Sequence, residues 1–317
     1  MNAHPLRLGT RGSALALAQA RTVTAAITAA GHDVELVEIT TRGDISGEPL
    51  ATIGGTGVFV SALRDALLED RIDLAVHSLK DLPTAPAEGL TVAAVPQRED
   101  PRDVLCARDG LTLAELPLGA RVGTGAPRRV AQIRALGLGL HLLPVRGNVD
   151  TRLAKIADGT FDAIVLARAG LARLGRLDEA TEVLDPLQVL PAPGQGALAV
   201  ECRAGDDALV EILTALDDPM TRSAVTAERS LLAALEAGCT APVGAYAEAA
   251  EGDDGLELYL RAVAVSPDGA VSIRKSATGP LTAAEQLGRD LAAEMLDDGA
   301  GALVGAHDRA LEQETVR

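Results

Sequence analysis

A lysine and an aspartate stand side by side at positions 80 and 81, directly after an apolar run. The run from Asp73 to Val76 predicts a buried strand, and Pro83 keeps a helix from starting at once because its ring fixes φ and removes a backbone donor. We therefore expect Lys80 and Asp81 in an irregular segment at the carboxyl end of a strand, where open α/β sheets bind ligands. A carboxylate held there beside a cation can stabilise positive charge and transfer protons. For this pair alone, a solvated turn is the simpler interpretation.

Arginines recur at the ends of other predicted strands. Any one of them is most simply a surface residue, but their repetition at successive strand ends predicts a crevice that binds anions. A guanidinium group matches a carboxylate better than an ammonium does, because its N–H donors form a planar fork. The arginines concerned are Arg11, Arg128, Arg129, Arg146, Arg152 and Arg173.

Two predicted helix starts fit the same picture. Ser13 suits the N-cap of an Ala/Leu-rich helix that Gly31 closes, and free N–H groups at such a start can hold an anion. Pro127 suits the first position of a second helix, which places Arg128 and Arg129 in its first turn. Cations are unfavourable at that end of a helix dipole unless something compensates them. We interpret this local conflict as a sign of function rather than stability.

The three cysteines fall in two kinds of place. Cys106 and Cys202 lie in apolar strand-like runs and are expected to be inert. Cys239 follows Gly238 in a predicted loop, where a thiol can be a nucleophile, an attachment point or simply a tolerated side chain. The residues around it leave these three readings open.

Composition limits the class of protein. The formal net charge of −16 argues against a nucleic-acid partner and against anionic membranes. No apolar run reaches the roughly 18 residues of a membrane span, and the first ten residues lack the apolar core of a signal peptide. Three cysteines give no disulfide framework, so a cytoplasmic location is expected. No metal site is predicted.

The order of elements predicts an α/β fold in two lobes. The segment Arg121–Thr124 echoes Arg7–Thr10, as expected of two lobes built on one plan, with polar crossings near 97 and 194. We expect two periplasmic-binding-protein-like lobes with a cleft between them, where domain interfaces favour sites. A small α+β C-terminal domain with a three-stranded antiparallel sheet and helices follows. The predicted boundaries are 1–96 plus 195–216 for the first lobe, 97–194 for the second, and 217–317 for the third domain.

Some element boundaries are predicted individually. Apolar runs predict strands over 194–202, 256–265 and 270–275. The Gly-rich segment 41–57 predicts either a lid or a surface loop.

Taken together and in order, the motifs resemble the hydroxymethylbilane synthase (porphobilinogen deaminase) family. The resemblance runs over nearly the whole chain. The matching stretches are Gly9–Ser13, Ala75–Pro83, Gly123-Thr124 with Arg128-Arg129, Arg146–Asn148 through Arg152, Gly194–Ala197 and Glu236–Gly244.

The resemblance implies a transferase that joins four porphobilinogen molecules head to tail, releases ammonia each time, and yields linear hydroxymethylbilane for porphyrin and haem biosynthesis. It also implies a dipyrromethane cofactor held by a thioether to Cys239. Asp81 is then the catalytic residue and also contacts the cofactor. Lys80, Thr124, Arg128 and Arg129 complete the cofactor site. The residues expected to bind substrate and the growing chain are Arg11, Ser13, Arg146, Arg152 and Arg173.

Three departures from the family pattern weaken individual expectations. Gly125-Ala126 stands where many members have two serines, which removes side-chain donors to the cofactor. Thr56 and Ser61 stand where the Gly-rich loop often has lysines, and residue 12 is Gly. The resemblance favours a monomer. It assigns no arginine to a particular pyrrole ring and does not explain why growth stops at four units.

Two other classes of function are compatible with parts of this pattern. A non-catalytic two-lobed anion-binding protein would use the same fold, since fold does not fix function. It would need neither Lys80-Asp81 nor a loop thiol. A cysteine-nucleophile hydrolase would need a histidine to activate Cys239. His77 is the best candidate for that histidine, although a histidine at a strand end is more often structural.

Overall fold

The protein is described here by a computed structural model that covers residues 4–40, 57–237, 241–252 and 255–305. Contacts between Cα atoms divide the chain into two compact units. The first comprises residues 1–99 and 197–222, and the second comprises residues 100–196 and 223–317.

Strands and helices alternate through most of the chain. The strands are β1 Leu6–Thr10, β2 Val34–Glu38, β3 Leu74–Ser78, β4 Leu90–Ala94, β5 Asp103–Ala107, β6 Arg121–Gly123, β7 His141–Leu143, β8 Ala163–Ala167, β9 Glu182–Val183, β10 Leu198–Arg203, β11 Val243–Gly252, β12 Gly255–Val265 and β13 Ser272–Pro280. The helices are α1 Ala14–Ala29, α2 Gly57–Leu68, α3 Pro127–Ala135, α4 Val149–Ala157, α5 Arg168–Arg173, α6 Asp207–Thr214, α7 Pro219–Ala234 and α8 Ala284–Asp297.

The sheet of the first unit has the strand order β2-β1-β3-β10-β4. Strand β1 pairs in parallel with β2 and β3, whereas β10 runs antiparallel to both β3 and β4. Helix α1 begins at Ser13, whose hydroxyl accepts a hydrogen bond from the Ala16 amide at 3.3 Å, and Gly31 follows its end with φ of 92°. Both predicted helix signals are therefore present. The core of this sheet is Leu, Val, Ile and Ala, as an aromatic content of 1% requires.

The sheet that opens the second unit repeats this plan. Its order is β7-β6-β8-β5-β9, with β6 parallel to β7 and β8, and with β5 antiparallel to β8 and β9. Strands β1 and β6 are each the second strand of their sheet, so the echo between Arg7–Thr10 and Arg121–Thr124 reflects a shared topology. Strands β10 and β5 likewise correspond, because each is the fourth strand of its sheet and the antiparallel one.

A third sheet follows later in the second unit. Strands β11, β12 and β13 form an antiparallel meander, and one apolar core joins it to α7 and α8. The α/β fold class and the separate three-stranded C-terminal sheet are thus confirmed. The three-domain division at 96, 194 and 216 remains a proposal.

Some predicted boundaries were wrong. The strand predicted over 194–202 begins only at Leu198, because Gly194 and Gly196 have left-handed φ values of 75° and 88° and form a turn. Helix α6 was missed, although Asp206 caps it by accepting from the Leu209 amide at 3.1 Å. Strand β13 is also longer than the predicted 270–275.

Two helical glycines of the C-terminal domain, Gly288 buried and Gly301 exposed, allow a matched stability test. A Cβ at Gly288 would lie 2.3 Å from the Ala227 carbonyl oxygen, whereas at Gly301 the nearest atom would be 3.4 Å away. We expect Gly288→Ala to destabilise the protein by about 1–3 kcal/mol, since backbone must move. Gly301→Ala should be neutral or stabilising by up to about 1 kcal/mol. Urea unfolding of both variants checks this, and equal effects would contradict the close packing of α7 on α8.

Candidate functional site

Lys80 and Asp81 lie in a short 3-10 turn, Leu79–Asp81, that directly follows β3. The turn is anchored by Leu79, which is buried and whose amide donates to the Ala197 carbonyl oxygen at 3.0 Å. Asp81 is exposed. The predicted irregular segment at a strand's carboxyl end is therefore present, and it presents a carboxylate to solvent from a fixed backbone.

A buried ion cluster lies under the strand that carries this turn. The Glu201 carboxylate on β10 is 2% exposed and accepts hydrogen bonds from Arg64 Nε and Nη2 of α2 at 2.9–3.1 Å. His77 Nε2 on β3 lies 3.2 Å from Glu201 Oε2. Burial alone would raise the pKa of Glu201, but the hydrogen bonds and charges of His77 and Arg64 outweigh it and lower that pKa. His77 is therefore engaged with a carboxylate, in keeping with the structural alternative.

The residues after β1 share this edge of the sheet. Because β1 and β3 are parallel neighbours, Arg11 and Ser13 follow at the same edge as Lys80 and Asp81. The Ser13 oxygen accepts from the Ala16 amide, which leaves its O–H able to donate elsewhere. A Cβ at Gly12 would lie 3.0 Å from the Glu38 carboxylate, so a larger residue would press on β2.

In the second unit the paired arginines are buried around one carboxylate. Arg128 and Arg129 are 4% and 5% exposed, and their Nη2 atoms donate to Asp103 at 2.8 and 2.7 Å. Burial would raise the pKa of Asp103, yet the two guanidinium charges hold it well below the usual range. The conflict predicted at the start of α3 is thus partly resolved within the chain, by an aspartate at the start of β5.

Positive charge remains in excess around this pair. Arg129 donates from Nη1 to the Val165 carbonyl oxygen at 2.9 Å, but its Nε is buried and has no hydrogen-bond partner among the described residues. Burial lowers the pKa of Arg152, and the like charge of Arg129 lowers it further. Of the residues that the structure describes, Arg128 and Arg129 share the carboxylate of Asp103, and Arg152 adds a third positive charge close to Arg129. An anionic ligand would relieve both the excess charge and the unpaired N–H, so these residues fit a group that bears carboxylates.

The other predicted residues of this unit follow β6, β7 and β8, which are adjacent and parallel. Thr124 is buried after β6, and its hydroxyl accepts from the Ala126 amide at 3.3 Å. Arg146 is exposed after β7. Arg173 ends α5, and its Nη2 donates to the Gly196 carbonyl oxygen at 2.6 Å. The structure thus brings the second-unit residues to the carboxyl edge of one sheet.

Cys106 and Cys202 are buried in strands, as expected. Burial is the main cause that raises the pKa of Cys106 to about 12 and that of Cys202 to about 11. Neither thiol can therefore serve as a nucleophile near neutral pH. Cys239 lies outside the described residues, as does most of the Gly-rich segment, so the predictions made for both remain predictions.

Sequence reasoning missed the partners that hold these residues. Nothing in the apolar runs around Asp103 and Glu201 marked these carboxylates as paired, and Gln195 falls within the strand predicted over 194–202. The available signal was a charge inside a buried run, since ionised side chains are rarely buried unless they are paired.

Comparison with known protein families agrees with the motifs. Residues 6–211 match the model of the porphobilinogen deaminase dipyrromethane cofactor binding domain, and residues 223–297 match that of the porphobilinogen deaminase C-terminal domain. The chain belongs to the porphobilinogen deaminase family. The resemblance inferred from the motifs is thereby confirmed.

Individual relatives extend the match over almost the whole chain. A porphobilinogen deaminase of Nocardia farcinica is 60% identical over 95% of this chain and 88% of its own length. Porphobilinogen deaminase 1 of Streptomyces coelicolor is 59% identical over 96% of this chain and 99% of its own length. A solved structure of a putative methionine-binding lipoprotein from Bacillus subtilis covers 67% of this chain and 89% of its own, at 13% identity and a TM-score of 0.42, a likeness too distant to carry an argument.

Family membership confirms that the chain is an enzyme, a transferase of porphyrin and haem biosynthesis with hydroxymethylbilane synthase activity. The alternative of a non-catalytic anion-binding protein is not favoured. In the part of the chain that the structure describes, no helix combines the length and apolarity needed to cross a membrane.

The buried arginine pair makes a stability prediction. Asp103→Asn leaves two desolvated guanidinium groups without a counter-charge, so we expect a loss of about 3–5 kcal/mol in unfolding free energy at pH 7. Asp150→Asn, at the exposed ion pair with Arg176, should cost less than about 1 kcal/mol. Urea unfolding at fixed pH compares the two variants. Equal losses of unfolding free energy would contradict the larger stabilising role assigned to Asp103.

The same carboxylate makes a pH prediction. Because its pKa is lower in the folded than in the unfolded chain, Asp103 stabilises the protein above its unfolded pKa of about 3.9. That contribution is lost as the pH falls below this value. The stability gap between the wild-type protein and Asp103→Asn should therefore be constant from about pH 7 to pH 5 and narrow below about pH 4. A gap that widens on acidification would contradict the assigned pKa direction.

Proposed function

We propose that this chain performs the hydroxymethylbilane synthase reaction with Asp81 as its catalytic carboxylate. It would join four porphobilinogen molecules head to tail and release ammonia at each step. The observation that carries the assignment is the exposed Asp81 carboxylate beside Lys80, in a turn fixed at the carboxyl end of β3. The other predicted residues follow neighbouring parallel strands of each sheet, which supports a shared role.

Asp81 would act on charge that develops in the substrate. Loss of ammonia from porphobilinogen leaves positive charge on its pyrrole, and the attack that joins two rings leaves a proton to be removed. A carboxylate about 4 Å from such a charge contributes about 4 kcal/mol at an effective dielectric constant of about 20. The same oxygen can then accept the proton, provided that it lies within hydrogen-bond reach.

The cofactor assignment rests on the matched domain, whose family is described as binding dipyrromethane. When bound, a dipyrromethane supplies the pyrrole end to which the first substrate unit is joined. We propose Cys239 as its covalent anchor, since Cys106 and Cys202 are buried with raised pKa values. Lys80, Thr124 and the arginine pair would orient its carboxylates. The Nε of Arg129, which bonds to no residue in the described ranges, is a donor suited to that task.

The remaining predicted residues would bind the incoming substrate and the growing chain. Every pyrrole adds an acetate and a propionate, so the site must neutralise more carboxylates at each step. Arg11, Arg146, Arg152 and Arg173 would supply charge-assisted hydrogen bonds to them. The Ser13 hydroxyl can donate to a carboxylate while its oxygen keeps the helix cap. Because the whole chain has a net charge of −16, the surroundings of these arginines must be locally positive for an anionic substrate to bind.

The same proposal includes a cytoplasmic monomer. A chain with few cysteines, two of them buried and free, suits a reducing compartment. The three domains at 1–96 plus 195–216, 97–194 and 217–317 remain part of the proposal.

Replacing the catalytic carboxylate should separate cofactor loading from turnover. Asp81→Ala is expected to carry the dipyrromethane and to lose at least about 100-fold in kcat, because general acid–base help of this kind contributes about 10²–10⁴-fold. Porphobilinogen consumption and intact mass measure the two properties. Asp65→Ala, at an exposed aspartate of α2, serves as the control and should leave both unchanged. A wild-type rate in Asp81→Ala would refute the role.

The anchor can be tested by mass alone. The wild-type protein should exceed its sequence mass by two linked pyrroles, and Cys239→Ser should lose that excess entirely. Cys106→Ser and Cys202→Ser are matched controls that should retain it, since both thiols are buried. An unmodified but active wild-type protein would overturn the covalent attachment.

A further inference from the structure

Two fully buried carboxylates of the second unit, Asp103 and Glu228, are bridged by adjacent residues, Gly194 and Gln195. These two residues belong to the return segment, which we define as residues 187–196. It is the last part of the second unit before the chain passes back into the first. The roles proposed above assign nothing to Glu228, to Gln195 or to this segment.

Glu228 ties together the two elements that flank the loop of Cys239. It lies on α7, is 0% exposed, and accepts from the Ala247 amide of β11 at 2.8 Å and from the Gly194 amide at 2.6 Å. In the sequence, the loop with Cys239 connects α7 to β11. One carboxylate therefore fixes both flanks of that loop to each other and to the return segment.

Gln195 carries the connection on to the arginine pair. Its Nε2 donates to Asp103 Oδ1 at 2.7 Å and to the Pro101 carbonyl oxygen at 2.6 Å. The other bonds of Asp103 go to Arg128 and Arg129. A single step along the backbone, from residue 194 to 195, thus separates the bond to Glu228 from the bond to the carboxylate that holds the arginines.

A second set of contacts runs beside this one. The Leu190 carbonyl oxygen accepts from Arg128 Nη1 and from Gln132 Nε2 of α3, and the Leu190 amide donates back to Gln132 Oε1 at 2.8 Å. On the other side, the Ala245 amide of β11 donates to the Pro191 carbonyl oxygen at 3.0 Å. A Cβ at Gly244 would lie 2.9 Å from the Leu190 oxygen, so β11 and the return segment are in close contact.

A buried carboxylate is an unexpected choice for joining these elements. Glu228 is one turn before Leu231 and two turns before Leu235, which both lie in the apolar core of the C-terminal domain. A charge in that stripe must be desolvated, whereas an apolar residue would pack without this cost. This conflict indicates that Glu228 holds the neighbouring elements in positions that apolar packing alone would not fix.

We propose that Glu228 and Gln195 are positioning residues that fix α7 and β11, the elements on either side of Cys239 in the sequence, relative to the Arg128–Arg129 pair. A dipyrromethane anchored at one end and bound through its carboxylates at the other must span a fixed separation. A misplacement of about 1 Å can cost about 100-fold in rate. The proposal rests on the proposed function, because it presumes attachment at Cys239.

The test follows attachment itself rather than turnover. Wild type, Glu228→Gln, Gln195→Ala and the double variant are produced without porphobilinogen, which is then added, and intact mass records the gain of two pyrroles with time. Glu228→Gln keeps the side-chain volume, but its amide can accept only one of the two N–H bonds. Each single variant should load at least about tenfold more slowly than the wild type. The double variant should be no slower than the slower single variant, because both residues act along one connection.

Leu231→Val is the matched control, a truncation on the same helix in the same core that leaves Glu228 untouched. It should lose thermal stability and load at the wild-type rate. Wild-type loading in both single variants, loading that merely follows melting temperature across all variants, or additive slowing in the double variant would overturn the positioning role. If Glu228→Gln does not fold, Gln195→Ala decides alone. A wild-type protein that gains no pyrroles refutes the proposed function itself, a result distinct from the others.

Discussion

The contact of Asp103 with Arg128 and Arg129 is the constraint around which the second unit is arranged. Two adjacent guanidinium groups in the first turn of a helix repel each other and oppose the helix dipole. Burial sharpens both effects, because charges interact more strongly in a low dielectric. The Asp103 carboxylate, at the start of β5, offsets both the repulsion between the arginines and their unfavourable interaction with the helix dipole. Its ion pairs also hold α3 against the sheet, in addition to apolar contacts.

That arrangement pairs both arginines with a carboxylate but leaves a net positive charge. Asp103 offsets one of the two positive charges, and Arg152 adds another nearby. Had each arginine its own buried carboxylate, the cluster would be neutral and would offer nothing to an anion. Had it none, the folded state would bear the full desolvation of two cations. One carboxylate for two arginines stabilises the fold without a ligand and still leaves positive charge for the carboxylates that we propose these arginines bind.

The sequence predicted where the site residues lie along the strands and helices better than it predicted the buried partners that hold them. The strand-end positions of Lys80, Asp81 and the arginines follow from apolar runs and helix-start residues, which are local signals. The buried partners are distant in sequence: Asp103 meets Gln195 across 92 positions, and Arg64 meets Glu201 across 137. Nothing in local pattern distinguishes a paired charge in a strand from a misplaced one. The same limit explains why the strand predicted over 194–202 starts before β10 does. The apolar composition of that stretch gave no sign of two glycines with left-handed φ values.

The two sheets share more than strand order: the fourth strand of each carries a buried carboxylate that the sequence pattern did not single out. Strands β5 and β10 are the antiparallel fourth strands of their sheets, and each carries a buried carboxylate that binds arginine from a neighbouring helix. In one sheet Asp103 binds α3, and in the other Glu201 binds Arg64 of α2 and contacts His77, four residues before Asp81. In each sheet this antiparallel strand pairs with the parallel strand beside it and so helps to fix that strand's position. The buried carboxylate on that strand forms directional hydrogen bonds with a helix. It therefore fixes the helix relative to the strand more precisely than non-directional apolar packing does. In both sheets, then, the residues proposed to meet the ligand stand on elements whose position depends on a buried carboxylate.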